Sequence, residues 1–208
     1  MKSFYVLVFL ILISLSSSTQ VSAQRDSIGN SIGLIVLNKS HSRDRYIEFF
    51  NDDGSLWYRF SFYYDDSDGK FDYANNEFRP FAFHPDYFVL ALKCIKKDSS
   101  GYQVIVNEEK RLLKYMRVGD TTISFEGWKT HLLNAFSVDF DSHRNQPRLR
   151  PHGPVINVDA RDRIFRPVRI KGDWLKVKWR SLGRKKYLYS WIRWRRAESL
   201  LVELFYFS

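Results

Sequence analysis

The sequence predicts a mainly β or α+β fold, in which an N-terminal antiparallel sheet with one amphipathic helix precedes a small C-terminal β-barrel. Short apolar and aromatic runs recur along the chain between turn residues, a pattern typical of antiparallel strands. One segment has helical periodicity instead. Aromatic residues make up 17% of the 208 residues, and that much ring surface excludes a globally disordered chain.

The N-terminal segment is predicted to be a secretory signal peptide. Residues 1–3 carry a positive charge, residues 4–13 form an unbroken apolar run, and residues 21–23 offer small side chains to signal peptidase. The apolar run has half the roughly 20 residues that span a bilayer, which disfavours a transmembrane anchor. We expect cleavage after Ala23 and an exported protein, periplasmic or extracellular, that keeps no transmembrane anchor.

The charge divides the remaining chain into two parts. Residues 24–143 hold 15 Lys and Arg against 18 Asp and Glu, a net charge of −3, whereas residues 144–208 hold 17 against 5, a net charge of +12. Such asymmetry indicates two units or a binding surface. Residues 144–154 are polar and contain three prolines. We therefore predict an acidic, aromatic-rich α+β domain over 24–143, a linker over 144–154 and a basic barrel over 155–208.

The acidic part is predicted to form an antiparallel sheet. Asn51-Asp52-Asp53-Gly54 is a turn signal, so its two flanking runs should pair as a hairpin. Phe88 and Tyr102 open two further apolar runs that are joined by a polar loop. The strands predicted in this part cover residues 35–37, 46–50, 56–64, 88–95 and 102–106.

One helix is predicted over residues 125–136. Its apolar side chains lie at offsets that place them on one face, where they would cover the sheet. Ser124 is a suitable N-cap, and Glu126 suits the positive end of the helix dipole. His131 is expected at the boundary of the apolar face. The members of that face are Phe125, Trp128, Leu132, Leu133 and Phe136.

The basic part is predicted to be a five-stranded barrel. Lys171-Gly172-Asp173 is a tight turn, and strict alternation follows it. Lys176 and Lys178 should point to one side of that strand, with Leu175, Val177 and Trp179 on the other. The five predicted strands cover residues 155–158, 165–170, 174–179, 187–194 and 200–207.

Two spaced motifs of the basic part resemble the bacterial SH3-like domain family. They are Ile170-Lys171-Gly172-Asp173-Trp174-Leu175-Lys176-Val177 and Ser190-Trp191-Ile192, with Ser190 where the family usually has glycine. The resemblance covers roughly residues 150–208. It implies a small barrel that is non-catalytic and that attaches exported proteins to peptidoglycan or to peptide ligands. It also implies that Trp174 and Trp191 occupy the positions of the family's two tryptophans, either as ligand contacts or as core residues.

Motifs that carry chemistry are weak in this sequence. No two of its five histidines have the i, i+4 spacing of a zinc-binding helix, and the Asp-rich turns lack the ligand pattern of an EF-hand loop. Cys94 is the only cysteine and lies in an apolar run, so it is expected to be a buried hydrophobe. We therefore predict no catalytic residue, metal ligand or cofactor.

A binding role follows from the aromatic and basic residues. The tyrosines Tyr63 and Tyr64 suit stacking on a sugar or peptide, although core and cross-strand packing is the favoured interpretation of the aromatics in this part. Cations and rings also interleave near the C-terminus, and arginine grips carboxylates and phosphates bidentately. The residues of that patch are Trp191, Arg193, Trp194, Arg195 and Arg196.

These features lead us to expect a non-catalytic protein of the cell envelope. Its expected partner is cell-wall peptidoglycan or an envelope protein. Another anionic polymer is a further candidate. Nucleic acid is not the expected partner of an exported protein. One alternative is a small-ligand-binding protein or enzyme with its pocket in the aromatic N-terminal domain, where His84 and Asp86 are the first candidate pair. The other is a protein that serves only protein–protein contact.

Overall fold

A computed structural model describes residues 27–38, 45–61, 75–119, 121–158, 164–180 and 186–207. Within these residues the strands pair antiparallel, and one α-helix accompanies them. The predicted mainly β or α+β class with antiparallel sheets is therefore confirmed. The predicted signal peptide lies outside the described residues.

One large antiparallel sheet contains eight strands: β1 (Gly33–Leu37), β2 (Ile47–Phe50), β3 (Leu56–Phe60), β4 (Ala82–His84), β5 (Val89–Lys97), β6 (Gly101–Asn107), β7 (Leu112–Arg117) and β8 (Ile123–Glu126). Their order is β3-β2-β7-β6-β5-β1-β8, and β4 pairs with β5 beside this row. The predicted hairpin of β2 and β3 is confirmed, whereas β4, β7 and β8 were not predicted. Residues 62–64 of the longer strand predicted there lie outside the described residues.

The helix is shorter than predicted. Helix α1 runs from Trp128 to Asn134, and Gly127 occupies its N-cap. Ser124 and Phe125, predicted as N-cap and first apolar residue, instead belong to β8, where Phe125 lies opposite Ile35 of β1. Pairing with β1 satisfies the backbone of this segment, and this outweighs its chance fit to helical periodicity. His131 is buried rather than at a boundary, and Leu133 is exposed.

The remaining strands are β9 (Ser137–Asp139), β10 (Arg166–Lys171), β11 (Trp174–Arg180), β12 (Tyr187–Arg193), β13 (Arg195–Arg196), β14 (Ser199–Leu200) and β15 (Glu203–Phe205). Strands β10, β11 and β12 form a three-stranded sheet, β13 pairs with β14, and β15 pairs with β9. The tight turn between β10 and β11 has Gly172 at φ +59°, a conformation that glycine adopts without strain.

Two strands predicted in the C-terminal part are wrong. Residues 155–158 do not form a strand, and only Val155 makes a bridge, to Arg148. The single strand predicted over residues 200–207 is replaced by the short β14 and β15, which pair with different partners. The described residues do not show a closed barrel, because β10, β11 and β12 form a separate three-stranded sheet and β15 pairs with β9 instead.

Two hydrophobic clusters stabilise the fold. One lies between β2, β3, β5 and β6 and includes Phe49, Phe60 and Val104. The other joins both sides of the predicted boundary near residue 150, because it contains Leu132 and Val138 together with Phe165 and Val177; it is called the shared core here. Phe165 lies at the centre of this contact, with its ring centroid 5.0 Å from Phe140 and 5.3 Å from Trp179.

Candidate functional site

The three-stranded sheet has one apolar face and one cationic face. The predicted alternation along β11 is confirmed, since Leu175, Val177 and Trp179 are buried in the shared core. Side chains at the intervening positions point to the opposite side, because successive residues of a strand alternate between faces. The opposite side therefore carries a chemically distinct set of residues.

Strand register assembles this second set. Lys176 lies opposite Trp191, Lys178 opposite Tyr189, and Arg180 opposite Tyr187. On the other side of β11, Arg169 lies opposite Lys176 and Lys171 opposite Trp174, after a bulge at Pro167–Arg169. The name cationic–aromatic face is used here for Arg169, Lys171, Trp174, Lys176, Lys178, Arg180, Tyr187, Tyr189, Trp191 and Arg193.

Cations lie over rings across the face. Lys176 Nζ is 4.8 Å from the ring centroid of Tyr189, and Lys178 Nζ is 5.1 Å from that of Tyr187. Arg180 Cζ is 4.6 Å from the Tyr187 centroid. Such contacts contribute about 0.5–1 kcal/mol each at exposed sites. They hold the positive charges in place on a surface where Tyr187 and Tyr189 are both exposed.

One end of the face is covered by the segment predicted as a linker. Arg193 Cζ lies 5.1 Å and Arg148 Cζ 6.0 Å from the Trp174 ring. His152 meets the same ring edge-on at 5.3 Å. Trp174 is consequently only 6% exposed. Of the two roles that the resemblance allowed for this tryptophan, its burial supports the structural one.

Backbone hydrogen bonds fix this segment beside β12. The N–H of Arg148 donates to the Trp191 carbonyl, and the Trp191 N–H donates back to the Arg148 carbonyl, both at 2.8 Å. The buried Asn145 side chain donates from Nδ2 to the Arg193 carbonyl at 2.7 Å and accepts from the Arg193 N–H at 2.9 Å. Residues 145–153 are thus packed against the sheet, and they limit the open part of the face to its other end.

The open part of the face is strongly positive. None of its positions carries Asp or Glu, and its lysines and arginines form no ion pair with another described residue. Cations this close together repel one another, and no acidic side chain on the face offsets that repulsion. A ligand that brings negative charge would therefore be attracted to this surface.

The other predicted patch residues lie elsewhere. Trp194 is 1% exposed, and its indole N–H donates to the Gly172 carbonyl at 3.0 Å. Arg195 Nε donates to Asp173 Oδ1 at 2.7 Å, and exposed Arg196 lies in β13 opposite Ser199. Of the predicted ligand-binding residues, Trp191 and Arg193 lie on the face with the buried Trp174, whereas Tyr63 and Tyr64 lie outside the described residues.

Most of the face was not singled out from the sequence. Arg169, Arg180, Tyr187 and Tyr189 were not predicted as binding residues, and Lys176 and Lys178 were assigned a side of their strand but no role. The alternation of Tyr187, Tyr189 and Trp191 along one strand was the sequence signal that could have predicted the aromatic residues of the face. The register of β11 against β12 was needed to bring the two halves together.

A carboxylate–imidazole–phenol chain lies near the helix. His131 Nδ1 is 3.0 Å from Glu126 Oε2, and His131 Nε2 is 3.0 Å from Tyr206 Oη. Burial, followed by the nearby Glu126 carboxylate, raises the pKa of the Tyr206 hydroxyl, so this phenol is a poor nucleophile. Both imidazole nitrogens have partners. The chain therefore acts as a tie between helix α1 and the residues after β15, beside a cavity of about 150 Å³.

His84 and Asp86, the candidate pair of the aromatic N-terminal domain, form no hydrogen bond with each other. His84 packs its ring edge-on against Phe207 at 5.1 Å, and Asp86 lies in the short 3-10 helix Pro85–Tyr87. Cys94 is fully buried, as predicted, and burial raises the pKa of its thiol to about 11. At neutral pH this cysteine is consequently a protonated and unreactive thiol.

Two structural features are absent from the described residues. These residues contain no group of three or more His, Cys, Asp and Glu side chains that could hold a metal ion. They also contain no helix long and apolar enough to cross a membrane.

Comparisons of the chain with protein-family models, with curated proteins and with solved structures found no match.

Proposed function

We propose that this protein is an exported, non-catalytic component of the cell envelope that binds cell-wall peptidoglycan through its cationic–aromatic face. The observation that carries the proposal is the face itself, where Lys176, Lys178 and Arg180 stand beside Tyr187 and Tyr189 with no acidic residue among them. The stem peptides of peptidoglycan carry carboxylates, and its glycan carries sugar rings. Cations suit the first and aromatic rings the second.

Two features of the sequence support the cellular setting. The N-terminal charge, the ten-residue apolar run and the small residues at 21–23 favour export. The resemblance of residues 150–208 to the bacterial SH3-like domain favours a binding module of the envelope. The first support is independent of the face, whereas the motifs of the resemblance include the face residues Lys171, Lys176 and Trp191. Both supports concern where the protein acts and what class of ligand it meets.

Binding suits the face better than catalysis does. Lysine and arginine at neutral pH are hydrogen-bond donors without a lone pair to act as base or nucleophile. The face has no histidine or carboxylate that could activate them. Its side chains can hold and orient an anionic ligand, and no imidazole or carboxylate on the face stands beside its tyrosine hydroxyls to activate them.

Cosedimentation with purified peptidoglycan tests this proposal. The full chain is expressed with its own N-terminal segment, purified and mixed with peptidoglycan sacculi at low and at high ionic strength. We expect the protein to sediment at low ionic strength and to be released by salt, because attraction between fixed charges is screened. Absence of sedimentation at low ionic strength would refute the proposed function.

A further inference from the structure

The hydrogen-bonding character of the cationic–aromatic face restricts its ligand. Lysine and arginine side chains and the indole N–H only donate hydrogen bonds, and a tyrosine hydroxyl both donates and accepts. No Asp, Glu, Asn or Gln occupies a position of the face. Neutral sugars present hydroxyl groups that need acceptors as well as donors. A carboxylate accepts only, and it therefore matches a surface made almost entirely of donors.

The cations form a row rather than a pocket. Lys176, Lys178 and Arg180 occupy alternate positions of β11, so their Cα atoms follow one another at intervals of about 6.8 Å along the strand. Arg169 adds a cation on the neighbouring strand, opposite Lys176. A row of this kind satisfies several anionic groups at intervals along one molecule. A single small anion would contact only a fraction of it.

Aromatic rings line the row on one side. Tyr187, Tyr189 and Trp191 are alternate residues of β12, directly beside the cations of β11. Tyr189 is 47% exposed, so part of its ring is open to a ligand. A linear polymer along β11 would place anions over the cation row and the apolar side of its backbone against these rings. Sugar rings have such an apolar side.

We propose that the cationic–aromatic face binds a linear carboxylated glycan, which lies along β11 with its carboxylates on Lys176, Lys178 and Arg180. This inference rests on the proposed function for the choice of an envelope polymer, and it adds that the recognised groups are free carboxylates. The carboxylates are those of uronic acid sugars, which lie on the glycan backbone itself. Binding to the carboxylates of peptidoglycan stem peptides is the alternative outcome that the experiment below separates.

The first measurement uses two polymers that differ only in charge. Polygalacturonate has one free carboxylate on each sugar, and its methyl-esterified form has the same backbone without the charge. Isothermal titration of the full chain should give binding to polygalacturonate that is at least tenfold tighter than to the ester and that weakens steeply with salt, since binding releases counterions. Equal affinity for the two polymers would overturn the inference.

The second measurement locates the binding on the face. The variant Lys176→Gln/Lys178→Gln removes two cations of the row and should weaken polygalacturonate binding at least tenfold. The matched control Lys97→Gln/Lys129→Gln removes the same charge from exposed positions elsewhere, and Lys97 also lies over rings, 5.6 Å from Tyr102 and 5.1 Å from Phe125. This control should bind nearly as the wild type does. Equal losses in both variants would contradict the proposed site.

A charge-conserving variant separates binding from folding. Lys176→Arg/Lys178→Arg keeps the row of cations and should retain most of the affinity, while circular dichroism checks that all three variants fold.

Single-stranded DNA of matched charge is the competing ligand, because cations beside rings also suit a nucleic acid. Tighter binding to that DNA than to polygalacturonate at the same ionic strength would overturn the carboxylate assignment.

The outcomes for the face and for the envelope function are distinguishable. Binding to polygalacturonate that depends on Lys176 and Lys178, without sedimentation on peptidoglycan, would support the uronic acid source and refute the proposed function. Sedimentation on peptidoglycan that is unchanged in Lys176→Gln/Lys178→Gln would preserve the proposed function and refute the role of the face. Loss of both polygalacturonate binding and peptidoglycan sedimentation in Lys176→Gln/Lys178→Gln would show that the face also binds the carboxylates of the stem peptides.

Discussion

Lys93 and Glu108 form an ion pair that is almost completely buried. Lys93 Nζ lies 2.6 Å from Glu108 Oε2, and each side chain is 2% exposed. The ammonium group also lies 5.1 Å from the ring centroid of Phe81. Burial removes the hydration of both charges, and their mutual attraction offsets that loss only while both are present. Each of the two buried charges is therefore stabilised in the interior by the other.

The first prediction concerns this pair. Lys93→Met should lower the free energy of unfolding by about 3–5 kcal/mol, because it removes the cation that lies 2.6 Å from the buried Glu108 carboxylate. Adding Glu108→Leu should recover much of the loss, since an apolar pair replaces the charged one. Urea unfolding measures both effects.

The control for this prediction is an exposed ion pair. Lys110 Nζ lies 2.7 Å from Glu77 Oε1 at the surface, and Lys110→Met should cost less than about 1 kcal/mol. A cost for Lys93→Met as small as that of Lys110→Met would show that the buried pair does not behave as an interior charge pair.

At the residue scale, the sequence predicted single side chains whose chemistry is unambiguous. Cys94 in an apolar run was predicted to be buried, and this is confirmed. Lys93, its neighbour, gave no sign of burial, because a lysine in a strand normally indicates the solvent side. Its burial depends on Glu108 after β6, and a partner fifteen residues away leaves no local signature.

Strands β1 and β8 approach each other closely at Gly33. A Cβ atom built at this glycine would collide with the backbone carbonyl oxygen of Glu126 and would lie 2.7 Å from the Phe125 ring. The absence of a side chain at Gly33 is therefore what allows the end of β8 to lie against β1.

The second prediction concerns this approach. Gly33→Ala should destabilise the protein by about 1–3 kcal/mol, because the backbone of β8 has to shift to admit a methyl group. The matched control is Gly127→Ala, where an added Cβ meets nothing within 4 Å and the change should cost less than about 1 kcal/mol. Thermal unfolding of both variants gives the comparison, and similar melting temperatures would contradict the prediction.

At the element scale, strands with a strong alternating pattern were predictable and short segments were not. Strand β11 was predicted within one residue of its observed end, because each residue type matches its face. Helix α1 was predicted to begin too early, since Phe125 fits a helical face and a strand equally well. Three of the four residues 155–158 are apolar, but only Val155 forms a bridge, and its partner Arg148 belongs to no strand. A partner edge is a tertiary property.

The shared core connects the two parts of the molecule that differ in charge. Phe165, Val177 and Trp179 from the basic part pack with Val138 and Phe140 from the acidic part. Strand β15 extends this connection through its pairing with β9. The acidic and basic parts of the chain thus share one apolar core.

The third prediction follows from that interior. A fragment of residues 155–208 should lack cooperative unfolding, because it has lost the residues that cover Phe165 and the strand that pairs with β15. The full chain should unfold in one transition. Circular dichroism during heating tests both, and a sharp melt of the fragment would show that the C-terminal part folds by itself.

At the scale of the whole molecule, the sequence predicted where positive charge accumulates but not how it is arranged. The excess of Lys and Arg after residue 144 indicated two units or a binding surface, and Trp191 and Arg193, which were predicted as binding residues, lie on the cationic–aromatic face. The face also requires Lys176 and Lys178 beside Tyr187 and Tyr189, and this depends on the register of β11 and β12. Composition carries no information about register.

The pairing of β9 with β15 also constrains the order of events during synthesis. Ser137 cannot find Phe205, nor Ser27 its bridge to Ser199, until the late residues have left the ribosomal tunnel. The native topology therefore closes only after nearly all of the described chain has been made. A chain that ends before residue 199 can therefore form neither of these two pairings.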